Sequence, residues 1–195
     1  MSNKLMRWDL INEYINKYKF SSFLEIGHDQ GKAFDQVQIN LKESVDPIAH
    51  THPTYVMSSD DFFEQTNNKY DIIFIDGLHE HSQVYRDIIN AIDHLNHGGV
   101  IIMHDCHPIS EQCQQHCFTY PGGAWTGDCW KAYLKAKATL PYEMYVWDYD
   151  WGCGVIDTNI PTHSDITMLP RIMATMTYTD FINHPEWMNF KSTVQ

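Results

Sequence analysis

Two apolar runs constrain this chain more than anything else in it. "YDIIFID" (residues 70–76) and "VIIMHD" (residues 100–105) are short, β-branched and strand-like. Between them Val84, Ile88, Ala91, Ile92 and Leu95 recur at helical spacing. A strand, a helix and another strand bury both runs in a parallel sheet with the helix packed on one face. The "HGG" before the second run puts glycine where a helix C-cap belongs, so the helix is expected to end there.

The alternation extends in both directions. Trp8, Ile11, Ile15 and Tyr18 share one helical face, and "SFLEI" reads as a buried strand followed by the turn "GHDQG". Residues 32–40 are expected to be helix. "SVDP" reads as a strand end stopped by Pro47, and "TYVM" as a third short strand. "SSDDFFEQ" starts a helix, with serine as N-cap and acids in its first turn. "DCWKAYLKAKA" is helical, and "EMYVWD" with "WGCGVID" suggests a hairpin. The expected fold class is α/β, with helices on both faces of the sheet. The expected organisation is one domain over residues 1–195, with a loop or lid at 106–126. A tail at 160–195 would hold one helix from 178 to about 190.

Composition narrows the functional classes. The formal net charge of −12 disfavours nucleic acid and anionic membrane as partners. No stretch approaches the length of a membrane span, and "MSNKLMRWDLINEYINKY" lacks the apolar centre of a signal peptide. Five cysteines, an odd number, read as free thiols in a reducing compartment, so the expected location is cytoplasmic. A homo-oligomer is compatible with all of this.

The turn "LEIGHDQG" sets Glu25, Gly27 and Gly31 between a strand and a helix, whose N-terminal N–H groups suit an anion. Asp46 ends the next strand, where a carboxylate can accept both hydroxyls of a ribose. The dinucleotide fingerprint is absent because position 29 is Asp rather than Gly. A nucleoside without a pyrophosphate is the better match, and a purely structural glycine turn is the plainer alternative.

"FLEIGHDQG", "VDP", "SDDFF", "YDIIFIDGLH", "GGVIIMHDC", "GDCWK" and "DWGCGVI" occur in an order that resembles the class I adenosylmethionine-dependent methyltransferases. The closest subgroup is the small bacterial methyltransferase-domain type, related to sugar and macrolide O-methyltransferases. The likeness covers about residues 20 to 157. It implies a Rossmann-like sheet of about seven strands with an antiparallel last strand, and S-adenosylmethionine as cofactor. It implies Glu25, Gly27 and Gly31 at the methionine end, Asp46 at the ribose, Ser59 and Asp60 near the adenine, and Asp76 beside the cofactor. The acceptor would be a hydroxyl of a small molecule or sugar.

The resemblance also implies a divalent ion (Mg, Mn or Zn) at Asp76, His104 and Asp105. Such an ion would lower the pKa of the attacking hydroxyl. Related sites carry two acids, or an acid and an amide, where this chain has "HD", and imidazole suits softer ions than Mg. The plainer reading is that both acids cap helices and orient ligands. His79, in "DGLH", matches a histidine of related macrolide sugar methyltransferases and is the expected general base, with Asp105 at the same centre. His81 is expected to be a solvated helix-start residue, and Asp128 a helix cap or a substrate contact.

Two other functions fit parts of the pattern. A metal-dependent hydrolase or oxygenase would use His79, His104, Asp105 and His107, and leaves the glycine turn and Asp46 unexplained. An inactive cofactor-binding scaffold would keep the fold without transfer. His107, Cys113, His116 and Cys117 lack zinc-site spacing, so residues 106–126 are expected to cover the substrate. Trp130, Trp147 and Trp151 are expected mostly in the core, with Trp125 available to stack on a sugar or planar acceptor.

Overall fold

The computed structural model describes residues 4–115, 124–162, 173 and 175–192. Helix α1 (Arg7–Tyr18) leads into β1 (Ser22–Ile26), α2 (Lys32–Gln36), β2 (Leu41–Asp46), β3 (Tyr55–Val56) and α3 (Ser59–Gln65). Then follow β4 (Tyr70–Ile75), α4 (His81–Asp93), β5 (Leu95–Met103), α5 (Cys129–Thr139), β6 (Tyr142–Trp147) and β7 (Cys153–Pro161). The last elements are α6 (Tyr178–Asn183), a 3-10 turn (Pro185–Met188) and β8 (Phe190–Lys191).

The strands form one sheet in the order β3-β2-β1-β4-β5-β7-β6-β8. β7 runs antiparallel to both β5 and β6, so the expected hairpin is present with its second strand inserted beside β5. The two-residue β8 pairs with β6 and makes eight strands rather than about seven.

Side-chain alternation along the strands explains the two layers. Phe23, Ile72, Phe74, Val100 and Ile102 point to the face covered by α1 and α2. Leu24, Ile26, Ile73, Ile75, Ile101 and Met103 point to the face covered by α3, α4 and α5. Central strands buried on both sides read as continuous apolar runs, and the core has two halves because the sheet divides it.

Three elements differ from expectation. Helix α2 stops at Gln36. Helix α4 stops at Asp93 with His94 as C-cap, and His97, Gly98 and Gly99 belong to β5. There the pairing jumps from Tyr70 opposite Leu95 to Ile72 opposite Val100, and Gly98 takes φ +77°. The glycines serve an irregularity in the strand rather than the end of a helix. The tail helix breaks after Asn183 because Pro185 biases His184 away from the helical region. The N-cap of α3 is as expected: Ser58 Oγ accepts the Asp61 N–H at 3.1 Å.

Candidate active site

The parallel register sets one row of strand tips. Ile26 pairs with both Val45 and Ile75, and Ile75 pairs with Met103. The next residues, Gly27, Asp46, Asp76 and His104, therefore line up at the carboxyl edge of the sheet, where ligands of such folds bind. The ladder continues past the tips: Asp76 N–H donates to Ile26 O at 2.7 Å, and His104 N–H to Ile75 O at 2.9 Å. A cavity of about 670 Å³ opens there, lined by Gly27, Asp46, Ser59, Asp76, His79, His104 and Asp105 among others.

One half of the cavity begins at Gly27. It has φ +88°, and a Cβ on it would stand 2.2 Å from the Asp76 carbonyl oxygen. Only glycine lets the tips of β1 and β4 approach this closely. Asp46 Oδ2 accepts from Asp29 N at 3.0 Å and Oδ1 from Ile48 N at 2.8 Å. Each oxygen keeps a lone pair for a ligand hydroxyl. Ile48 and Leu78 both line the cavity and are 52% exposed, an unusual amount of apolar surface beside a polar cleft.

Other expected cofactor residues sit differently. Glu25 follows the alternation of Phe23 toward α2, away from the cavity. It is buried, and its Oε2 lies 3.1 Å from His28 Nδ1. Burial first, then the charge of Asp76, pushes Glu25 up to about 9. Gly31 has φ +70°, and a Cβ there would meet the His28 ring at 3.1 Å, so its close neighbour is that imidazole. Ser59 lines the cavity and accepts from Gln83 Nε2 at 3.2 Å. Asp60 lies outside the lining and pairs with Arg86 Nη2 at 3.3 Å.

The chemical centre gathers acids and imidazoles. His79 Nδ1 is 3.2 Å from Asp105 Oδ2, off hydrogen-bond direction, and its Nε2 is 3.5 Å from Asp76 Oδ1. Burial opposes charge on His79, but Asp76 and Asp105 outweigh it and raise its pKa above 6.5. Trp125 stacks on the ring with centroids 4.8 Å apart. Gly127 (φ +55°) permits this, because a Cβ there would stand 1.8 Å from His79 O. Asp105 itself has φ +61°, a left-handed conformation that turns its carboxylate back toward the two imidazoles.

His104 Nε2 donates to the Asp150 carbonyl at 2.6 Å, which turns Nδ1 toward Asp76 Oδ1 and Asp105 Oδ2, each 3.2 Å away. Burial resists charging this ring, yet the two carboxylates hold its pKa well above 6.5.

Two residues of this centre went unnoticed in the sequence. Arg7, the first residue of α1, donates from Nη1 to Asp76 Oδ2 at 2.6 Å and from Nε to Asp150 Oδ2 at 2.9 Å. Burial opposes its charge too, but the two acids hold it firmly protonated. Burial likewise favours the neutral form of Asp150, but His104 and Arg7 lower it to about 2. Asp150 and Trp151 take φ +48° and +66° in the β6–β7 turn. That left-handed pair sets Asp150 under Arg7 and turns Trp151 into the cavity lining rather than the core. Trp130 and Trp147 are core as expected, and Trp125 lines the cavity.

Ligand atoms of Asp76, His79 and Asp105 lie within 4.8 Å of one another, and these are the only three-residue metal-type group among the described residues. The group nevertheless does not fit a divalent ion. Asp76 Oδ2 is engaged by Arg7, and its Oδ1 faces both imidazoles. The negative charge that would draw an ion is already met, and the guanidinium beside it would repel one.

The remaining candidates lie elsewhere. His107 Nδ1 is 2.6 Å from Asp148 Oδ1 and packs on Phe190, outside the cavity lining. Cys113 is buried beside Ser110, while His116 and Cys117 lie outside the described residues. Asp128 caps α4 rather than its own helix: it accepts from His81 N at 2.7 Å and meets His81 Nδ1 at 2.6 Å. His81 is therefore a bonded residue, not a solvated one.

A doubly wound sheet with an antiparallel strand inserted beside β5, and a cleft at its carboxyl edge, defines the architecture of class I methyltransferases. The comparisons agree. A family model described as "Methyltransferase domain" matches residues 12–106. The fold is similar to an O-methyltransferase from Bacillus cereus in complex with SAH (TM-score 0.57, 12% identity, 80% of this chain and 84% of that one). It is also similar to a putative caffeoyl-CoA O-methyltransferase from Staphylococcus aureus (TM-score 0.57, 17% identity, 77% and 82%). A third is an O-methyltransferase from Streptomyces achromogenes involved in tomaymycin synthesis, in complex with SAM (TM-score 0.54, 12% identity, 80% and 79%). Among curated proteins none matches the sequence. Residues 12–106 thus match a methyltransferase-domain model, and the fold as a whole is similar to that of these O-methyltransferase structures.

Proposed function

We propose that this cytoplasmic enzyme methylates a hydroxyl of a small molecule or sugar, with His79 taking the proton. One observation carries the reading: His79 sits between Asp76 and Asp105 in the cavity that also holds Gly27 and Asp46.

When bound, adenosylmethionine supplies a methyl group already activated on its sulfonium. The protein's part is orientation and proton removal. Asp46 accepts the ribose hydroxyls through its remaining lone pairs. Ile48 and Leu78 would offer apolar surface to the adenine, and Ser59 with Gln83 would offer it polar partners. Trp125 and Trp151 wall the acceptor side with aromatic surface suited to a sugar or planar molecule. With the cofactor bound, His79 would take the proton of the attacking hydroxyl, and Asp105 and Asp76 would stabilise the resulting imidazolium.

His79→Ala is expected to lower kcat by about 10²–10⁴-fold. Its affinity for adenosylhomocysteine should be nearly unchanged, because the contacts of the ring are with Asp76, Asp105 and Trp125 rather than Asp46. Near-normal turnover in that variant, with a tested acceptor, would remove His79 from the mechanism.

A further inference from the structure

Arg7 occupies a position that helix chemistry does not favour. A cation in the first turn opposes the helix dipole, and acids are preferred there. Its place is set by partners from two other parts of the fold. Strand alternation turns Asp76 and His104 to the face covered by α1, the same face as Phe74. The β6–β7 turn brings Asp150, which accepts both the Arg7 backbone N–H and its Nε at 2.9 Å. Nη1 reaches Asp76 Oδ2 at 2.6 Å and lies 3.3 Å from His104 Nδ1. The Nη2 group makes no hydrogen bond among the described residues, and Arg7 lines the cavity.

From this arrangement we propose that Arg7 is the permanent cation of the site and stands in for a divalent metal ion. The inference rests on the methyltransferase reading of the cavity. The guanidinium balances Asp76 and Asp150, keeps a divalent ion out, and presents the N–H groups of Nη2 to the acceptor oxygen. A fixed cation near that oxygen favours its deprotonated form, as a bound metal would, while the proton goes to His79. Being always charged and planar, arginine does this without dependence on metal supply.

The test is a Mn²⁺ titration of the full chain followed by electron paramagnetic resonance. It is run on the wild type, Arg7→Lys and Arg7→Met, each first checked for folding by its affinity for adenosylhomocysteine. The wild type and Arg7→Lys should bind no Mn²⁺ below millimolar concentration. Arg7→Met should gain one site at least about tenfold tighter, about 1.4 kcal/mol, and lose it again on adding Asp76→Asn. Stoichiometric micromolar Mn²⁺ binding by the wild type overturns the proposal, whether or not the variants fold. So does a folded Arg7→Met that gains no site. Failure of adenosylhomocysteine to bind the wild type would sink the methyltransferase reading instead, and the Mn²⁺ result on the wild type would still stand.

Discussion

At the residue scale, burial and charge set the working states of the side chains. His79 faces Asp76 from β4 and Asp105 and His104 from the end of β5, and Arg7 of α1 engages Asp76 from the other side. The two acids raise its pKa, so the base becomes available only as pH rises through a value above 6.5. The alkaline-rising limb of kcat/KM should therefore lie above that of a free histidine, and should move when Asp105→Asn removes one acid. A limb at or below pH 6.5 would show that the acids do not act on His79. Glu25 gives a second prediction. Its folded-state pKa of about 9 exceeds the ordinary 4.5, so between these values the folded chain holds a proton that the unfolded chain has lost. Stability contributed this way is present below about pH 4.5 and is lost as pH rises toward 9. Glu25→Gln should therefore flatten the fall in unfolding free energy between pH 5 and 8.5, measured by urea titration. Parallel pH profiles for the two proteins would contradict this.

At the element scale, several elements hold one another by their ends. Asp128, just before α5, satisfies the first N–H of α4 and the ring of His81, and its backbone N–H reaches His79 O at 3.3 Å. One acid thereby couples α4, α5 and the residue proposed as base. Asp128→Ala should cost about 0.5–2 kcal/mol of stability, the range for a lost cap. It should also lower kcat more than it weakens adenosylhomocysteine binding, since the loop carrying His79 loses its side-chain anchor at His81. Urea unfolding and a kcat comparison check both parts, and a variant with unchanged stability would mean that water replaces the cap. The hairpin turn works similarly. Its left-handed Asp150 and Trp151 are conformationally costly positions at which a bulky residue is unusual. The strain coincides with the two side chains the turn delivers to the site.

At the scale of the whole molecule, the cavity is the place where the two core halves meet the sheet edge. No helix among the described residues is long and apolar enough to cross a membrane. Ligand binding there should stabilise the entire fold. At adenosylhomocysteine about 100-fold above its Kd, linkage gives about 2.7 kcal/mol, or roughly 5–10 °C in Tm for a chain of this size. NAD should produce no shift, because Asp29 fills the position where the dinucleotide fingerprint needs its second glycine. A shift with NAD alone would reassign the cleft.

How much of this was open to reading in the sequence follows from the range of the forces involved. Alternating apolar runs and helical stripes depend on neighbours within one element, so β1, β4, β5, α1, α4 and the β6–β7 hairpin were legible. So were the strand-tip residues Gly27, Asp46, Asp76, His104 and Asp105, because a strand end is a local feature and the register of a buried parallel sheet follows from its apolar pattern. Local signals misled where a glycine had two possible uses, as at Gly98, or where a partner lay far along the chain. Asp128 looked like the cap of its own helix and proved to cap another. Asp60 looked like a ligand contact and proved to pair with Arg86. Arg7 and Asp76 are 69 positions apart, and Arg7 and Asp150 are 143 apart. No spacing rule links residues so distant; only the packing of α1 across the sheet and the turn of the hairpin bring them together. The sequence by itself determined the sheet, its edge and the acids on it. The tertiary structure decided which cation those acids hold, because an ion pair forms only between groups that folding has already placed within a few ångströms of each other.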